Sequence, residues 1–219
     1  MKTRSTLDSL LIVAAPLTLA IIELFHPHPH DLMALDVQTW LAVHYLQLPL
    51  FPLTAVALVL LLKQRTDIAA VICRIAMFVF AVSYTAFDTA AGIVTGILLK
   101  AAHASTTPDA WRLPIDTIWT HAIVGGSASG PPPLLAVLGS VALSIGTVSA
   151  AVSLKRSGSS WGQVLLLALS GFGIAVFKTH AWPGGPVTFG GMAIASTWLL
   201  LEGRHLPAEA GKLSVETET

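Results

Sequence analysis

The sequence predicts an all-α integral membrane protein, folded as a bundle of six transmembrane helices. Of its 219 residues, 54% are hydrophobic and only 11% are charged, and the mean hydropathy is +0.74. A soluble domain carries about 25% charged residues, so this chain has too little polar surface to cover a globule in water. The composition argues against a soluble enzyme. The balance of 12 Lys+Arg against 12 Asp+Glu argues against a nucleic-acid partner.

Six apolar stretches account for the predicted spans, since a helix needs about 20 such residues to cross the hydrocarbon. Backbone amides cannot stay unpaired in lipid, so each stretch must be helical. The stretches run over Leu7–Phe25, Val37–Leu62, Ile68–Leu99, Leu134–Leu154, Trp161–Phe177 and Val187–Leu201.

The ends of the chain complete the predicted domain organisation. Lys2 and Arg4 precede the first apolar stretch as in a signal peptide, but no A-x-A cleavage site follows it, so we expect it to be retained as a helix. Residues 1–205 are predicted to form the transmembrane domain. The polar, acidic residues 206–219 are predicted to be a disordered cytoplasmic tail.

The distribution of basic residues predicts the orientation of the bundle. With six spans both termini share one side, and that side carries nine of the 12 lysines and arginines. The positive-inside rule therefore places both termini in the cytoplasm, and we expect the cytoplasmic (plasma) membrane as the location. The three basic residues on the opposite side are Lys100, Arg112 and Lys178.

A long outer loop, Ala101–Pro133, separates the third and fourth spans and is too long for a simple turn. Pro108 and Asp109 form a helix start there. The residues that follow at helical spacing predict a short helix lying in the outer interface. These residues are Trp111, Ile115, Ile118, Trp119 and Ala122.

The histidines are concentrated on the predicted outer side, and a random placement of eight residues would rarely be so uneven. Only His205 of the eight falls on the cytoplasmic side. The outer histidines indicate a site that opens to the extracytoplasmic side. They are His26, His28, His30, His44, His103, His121 and His180.

Two ionisable residues lie within hydrocarbon depth. His44 shares one helical face with Trp40, Gln47 and Phe51, at spacings of four, seven and eleven residues from Trp40. Asp88 lies inside the third span, where a carboxylate costs about 2.5–3.5 kcal/mol on insertion scales. Asp88 is therefore expected to face the bundle and to meet an outer histidine.

These side chains suggest a transition-metal site in an outward-facing cavity. Imidazole and carboxylate ligands suit zinc, copper or iron. Ligands from separate helices could leave a coordination position open for catalysis on a small or lipid-borne substrate. The predicted ligands are His44, Asp88, His121 and His180, with Glu23 or His26 as alternates.

In that hypothesis the metal activates water or a substrate oxygen. Asp88 is a ligand or the general base, and Tyr84, one turn earlier, orients it by a hydrogen bond. The expected partners are then the lipid bilayer and the small or lipid-borne substrate. The chain could also form a homo-oligomer.

Three other interpretations stay open. Asp88 could be the buried charge of a proton- or cation-coupled transporter or channel. His44 and His180 could hold a haem between them in an electron-transfer protein. The protein could also be a structural or accessory subunit. The His26–His30 run is either a stiff polar turn or a peripheral site of metal capture.

Overall fold

A computed structural model describes residues 5–28, 31–127 and 130–205, with side chains described as far as residue 202. Within these ranges the secondary structure is helical and contains no strand. The fold is therefore all-α, as the composition predicts. The tail 206–219, predicted to be disordered, lies outside the described residues.

The chain forms nine α-helices in the described ranges, together with two short 3-10 turns and one π-helical segment. The 3-10 turns span Leu32–Ala34 and Pro108–Trp111. The α-helices are α1 (Thr6–Glu23), α2 (Val37–Leu61), α3 (Ile68–Phe87), α4 (Thr95–His103), α5 (Arg112–Trp119), α6 (Leu134–Arg156), α7 (Trp161–Ser170), α8 (Gly173–Phe177) and α9 (Gly184–His205).

Five helices are long and apolar enough to cross a membrane, as expected of an integral membrane protein. They are Thr6–Glu23, Val37–Leu61, Ile68–His103, Leu134–Arg156 and Gly184–Glu202.

The longest of these five, Ile68–His103, changes its winding in the middle. α3 leads into a π-helical segment, Asp88–Val94, which leads into α4. A π segment widens the helix by one residue per turn and occurs frequently at functional sites. Asp88 is its first residue, so the irregular winding starts at the carboxylate predicted to be functional.

The fifth predicted span, Trp161–Phe177, is broken into α7 and α8 at Gly171. Neighbouring side chains satisfy the interrupted backbone. Ser144 Oγ donates to the Gly171 carbonyl at 2.8 Å, and Thr188 Oγ1 accepts from the Ile174 amide at 3.0 Å. Non-helical backbone at membrane depth is tolerated only where protein groups pair with it. α7 alone has ten residues and is too short to cross.

Six helices of the described chain, α1, α2, α3, α6, α7 and α9, pack as a closed ring. α1 contacts α2, α2 contacts α3, α3 contacts α6, α6 contacts α7, α7 contacts α9, and α9 returns to α1. Large buried side chains fill the centre, among them Phe51, Phe80, Leu143 and Phe189. The ring brings the end of α1 and the start of α9 together, although they are far apart in sequence.

The predicted short outer helix corresponds to the Pro108–Trp111 turn followed by α5. Ile115 is its buried residue and belongs to a second apolar cluster with Trp40 and Leu99. Trp119 also reaches Trp40, with ring centroids 6.0 Å apart. The outer loop is thus packed against the end of the bundle that carries the predicted site.

Candidate metal centre

Three histidines from distant parts of the chain converge at one end of the ring. His26 follows α1, His44 lies in α2, and His180 lies between α8 and α9. Each offers a ring nitrogen, and these three atoms lie within 4.8 Å of one another. The His26 ring stands edge-on to both others, with centroids 4.9 Å from His44 and 4.8 Å from His180. The three residues are called the histidine triad below, and they could hold a metal ion.

Backbone hydrogen bonds orient two of the three rings. His44 Nδ1 pairs with the Trp40 carbonyl oxygen at 2.7 Å, and His26 Nδ1 pairs with the Pro27 carbonyl oxygen at 2.9 Å. A carbonyl can only accept, so each Nδ1 donates and each Nε2 keeps its lone pair. Metal-binding histidines are held in the same way by a hydrogen bond to the second nitrogen.

The triad histidines outside the helices are held in the neutral form. Burial, together with the neighbouring His44, lowers the pKa of His26 to about 3. Burial lowers the pKa of His180 well below its usual value, and His26 and His44 lower it further. Neutral imidazole is the form that binds a metal. Their Nε2 atoms are buried and have no hydrogen-bond partner.

Asp88 lies beside the triad and faces the bundle, as its position in the sequence predicts. It is 1% exposed, and its Oδ1 is 3.7 Å from His44 Nε2. Neither carboxylate oxygen has a hydrogen-bond partner. Buried polar atoms are nearly always hydrogen-bonded in proteins, so such atoms call for an explanation.

Glu23 and Gln47 add further unpaired polar atoms to this region. Both side chains are 0% exposed. The Glu23 carboxyl is within electrostatic range of the Gln47 amide and of Asp88, yet all four polar atoms of Glu23 and Gln47 lack a partner in hydrogen-bond geometry. The helical face predicted from Trp40, His44, Gln47 and Phe51 is buried in full.

Gly92, within the π segment, leaves the space for the His44 ring. A Cβ on Gly92 would lie 1.7 Å from His44 Cδ2, so the ring lies directly against the glycine backbone. Trp40 Nε1 donates to the Gly92 carbonyl at 2.7 Å. The absence of a side chain at Gly92 therefore shapes the site.

Two further glycines position His180. A Cβ on Gly184 would lie 1.9 Å from the Thr179 carbonyl oxygen, and one on Gly185 would lie 1.7 Å from the His180 carbonyl oxygen. The loop can reach this position because Lys178 ends α8 in the left-handed conformation, with φ at 56°. The backbone around His180 is thus pressed against the first turn of α9.

The structure does not bring His121 to the triad. His121 is exposed in the turn after α5, where its Nδ1 accepts a hydrogen bond from the Ile123 amide at 3.3 Å. His26, the alternate ligand, occupies the third position instead. The reason is that the ring of helices closes α1 against α2 and α9, whereas the outer loop packs on the side of Trp40.

Tyr84 does not orient Asp88 as the sequence suggests. Its hydroxyl is 2.9 Å from Ser140 Oγ on α6, and its ring packs against Gly139. Its ring also lies beside Phe51 on α2 and beside His180, with centroids 5.0 Å and 6.1 Å apart. Tyr84 therefore packs next to the triad, but the partner of its hydroxyl is Ser140.

A cavity lies beside the start of α2 and the end of α4, with Leu41, Tyr45 and His103 in its wall, and none of the triad histidines lines it. The triad is largely closed to solvent, since His26 is 9% exposed and His44 2%, and His180 is partly buried. His28 is exposed, and its ring centroid is 6.4 Å from that of His26.

The packing also bears on the haem interpretation. A porphyrin held by His44 and His180 would have to lie between their rings, and the His26 ring contacts both of them. Trp40 covers the other side of His44 at 4.3 Å between centroids. The arrangement suits a single ion better than a large planar macrocycle.

Comparisons with known proteins identify no relative: no protein-family model matches the sequence, and no curated protein or solved structure matches the chain. The function is therefore inferred from the site.

Proposed function

We propose that this protein is an integral membrane metalloprotein that holds one transition-metal ion between His26, His44 and His180. The observation that carries the proposal is the convergence of three largely buried imidazoles, whose ring nitrogens lie within 4.8 Å of one another. Nitrogen ligands of a tetrahedral zinc ion stand roughly 3.4 Å apart, given a metal–nitrogen distance of about 2.0–2.1 Å. Side-chain movements on the order of 1 Å would close the triad onto an ion.

Asp88 is the fourth ligand or the general base in this proposal. Its Oδ1 already lies 3.7 Å from the His44 nitrogen that would bind the ion. Three histidines and a carboxylate suit zinc, copper or iron. With a coordination position open, the ion would act as a Lewis acid on water or on an oxygen of a small or lipid-borne substrate.

The proposal includes six spans with both termini in the cytoplasm. This topology is supported by the separation of the triad from the basic side chains along the helix ring. The triad lies at one end, and the basic residues Lys63, Arg65 and Arg74 make their contacts at the other. α7 and α8 together supply the sixth element, and α5 lies in the outer interface. The positive-inside rule then places the triad toward the extracytoplasmic side.

A transporter is the second candidate, because one element of the ring is discontinuous. Broken helices near buried charges are typical of transporter binding sites. Here α7 and α8 are separated at Gly171, and Asp88 and Glu23 are buried without hydrogen-bond partners. In that case the triad and Asp88 bind the ion as cargo.

Metal analysis of the purified protein tests the proposal. We expect one zinc, copper or iron ion per chain, and Co²⁺ loading should give the absorption bands of a site with nitrogen ligands. His44→Ala and His180→Ala should each lower the metal affinity by about 100-fold or more. Losing a ligand costs more than losing a residue that only holds a ligand in place, which lowers the affinity about 10–100-fold.

The matched control is His103→Ala. His103 is an exposed histidine that bonds the Met33 carbonyl oxygen at 2.9 Å and does not belong to the triad, so its loss should leave the affinity unchanged. Absence of stoichiometric metal, or equal effects of all three substitutions, contradicts the proposal. Ion flux into liposomes distinguishes the transporter from a protein that retains its ion.

A further inference from the structure

Two buried carboxyl groups approach the histidine triad, and the proposed function uses only one of them. Glu23 is 0% exposed and Asp88 is 1% exposed. All four of their oxygen atoms are buried without a hydrogen-bond partner. In the described parts of the chain, neither carboxyl forms an ion pair with a lysine or arginine.

The two carboxyls reach the site from different elements. Asp88 begins the π segment and stands against His44. Glu23 ends α1 and lies against the start of α9, where a Cβ on Gly185 would be 2.7 Å from Glu23 Cγ and 1.7 Å from the His180 carbonyl oxygen. Glu23 and His180 thus pack on the same glycine, while Glu23 and Asp88 interact electrostatically.

The charge of a bound ion decides whether this arrangement is favourable. Neutral imidazoles contribute no charge, so three of them around a divalent ion leave two positive charges in a medium of low dielectric constant. Isolated charges are very costly there, and they are stable only when paired. Glu23 and Asp88 supply two negative charges, and the sum is zero.

We propose that Glu23 acts with Asp88 to make this a site for a divalent cation, with Glu23 as a second carboxylate ligand or as a direct counter-charge of the ion. A monovalent ion such as Cu⁺ or Ag⁺ balances only one negative charge, so the second carboxyl would stay protonated and add no attraction for the ion. The pair therefore selects divalent over monovalent ions, although imidazole binds both. This inference rests on the proposed function, because it requires an ion in the triad.

The test measures the affinities of Co²⁺ and Ag⁺ on the same preparations of wild type, Glu23→Gln, Asp88→Asn and the double variant. Each single substitution should lower the Co²⁺ affinity by about 10–100-fold and leave the Ag⁺ affinity equal or higher. The ratio of the two affinities should then fall about tenfold or more in each single variant, and further in the double variant.

Two features of the experiment distinguish a change in ion selectivity from a change in folding. Glutamine has nearly the shape of glutamate, and a ratio measured on one preparation does not depend on the folded fraction. Asp67→Asn is the control, because Asp67 is also a partly buried carboxylate but caps α3 and accepts from Ser153 at the opposite end. It should leave the ratio unchanged.

The outcomes separate this inference from the proposed function. If the wild type binds no ion, or if His44→Ala does not reduce binding, the proposed function fails. If Co²⁺ binds through the triad but Glu23→Gln leaves the ratio at its wild-type value, the proposed function stands and the role of Glu23 is overturned. A parallel loss of both ions in Glu23→Gln also overturns it, since charge would then not be the basis of selection.

Discussion

The polar side chains at the two ends of the helix ring differ in whether they have hydrogen-bond or ion-pair partners. At the end where α2 meets α3, nearly every described polar group has a partner. Lys63 pairs with Asp8 at 2.9 Å, Ser153 donates to Asp67 at 2.6 Å, and Arg74 donates to the Leu62 carbonyl at 3.0 Å. Even Arg65 Nε, which has no hydrogen bond, stands 3.6 Å from Asp67.

At the triad end several described polar groups are deeply buried and unpaired. Glu23, Gln47 and Asp88 have no hydrogen-bond partner for any side-chain polar atom, and neither do the Nε2 atoms of His26 and His180. Leaving a buried polar group unpaired costs about 1–3 kcal/mol. The paired groups at the first end therefore favour the fold, whereas the triad end keeps buried polar atoms unpaired at the expense of stability.

The largest effect is expected where the backbone makes room for the triad. Gly92→Ala places a methyl group 1.7 Å from the present position of the His44 ring, so the ring must leave its place. We expect metal binding to be lost and the free energy of unfolding to fall by about 1–3 kcal/mol, as followed by metal titration and thermal unfolding in detergent. Gly190→Ala is the control, because its Cβ would meet nothing closer than 3.9 Å. Equal behaviour of the two variants would refute the assignment of Gly92 to the site.

We expect substitutions at the two ends of the ring to have opposite effects on the stability of the metal-free protein and on its metal affinity. Asp67→Ala removes the cap of α3 and should cost about 1–2 kcal/mol of stability without changing the metal affinity. His44→Leu should abolish metal binding and leave the metal-free protein as stable or more stable, because it removes a buried polar ring. Unfolding of both metal-free variants measures this difference. A His44→Leu protein that is less stable than the wild type but binds metal with normal affinity would contradict this expectation.

A smaller, kinetic effect is expected at the rim. His28 is exposed, lies 6.4 Å from His26 and is within electrostatic range of His180. As the first imidazole that an arriving ion meets, it should speed association. His28→Ala should slow Co²⁺ association about threefold or more with little change in affinity, as stopped-flow absorbance would show. A changed affinity at an unchanged association rate would instead make His28 a ligand.

The smallest effect is expected at Tyr84. Tyr84→Phe removes the hydrogen bond to Ser140, which keeps its own bond to the Ala136 carbonyl at 2.7 Å. The stability should fall by about 0.5–1.5 kcal/mol, and the metal affinity should not change. A clear loss of affinity on titration would mean that Tyr84 does orient Asp88, as the sequence alone suggests.

Much of the fold was predictable because lipid imposes a simple rule on sequence. Apolar length predicts a spanning helix, and the predicted second span, Val37–Leu62, differs from α2 by one residue. The burial of Asp88 and the shared face of Trp40, His44 and Gln47 followed from the cost of charge in hydrocarbon and from helical periodicity. The break at Gly171 was not predictable, because Ser144 and Thr188, distant in sequence, satisfy the backbone there.

The sequence by itself determined that the chain is an apolar helical protein, and it predicted that the histidines gather toward one side. Local composition and helix length are enough for that, because each helix satisfies its own backbone. Only the tertiary structure decided which of those histidines meet. His26 joins His44 and His180, and His121 does not, because the closing of α1 against α9 and the winding of the π segment depend on contacts between residues far apart in the chain.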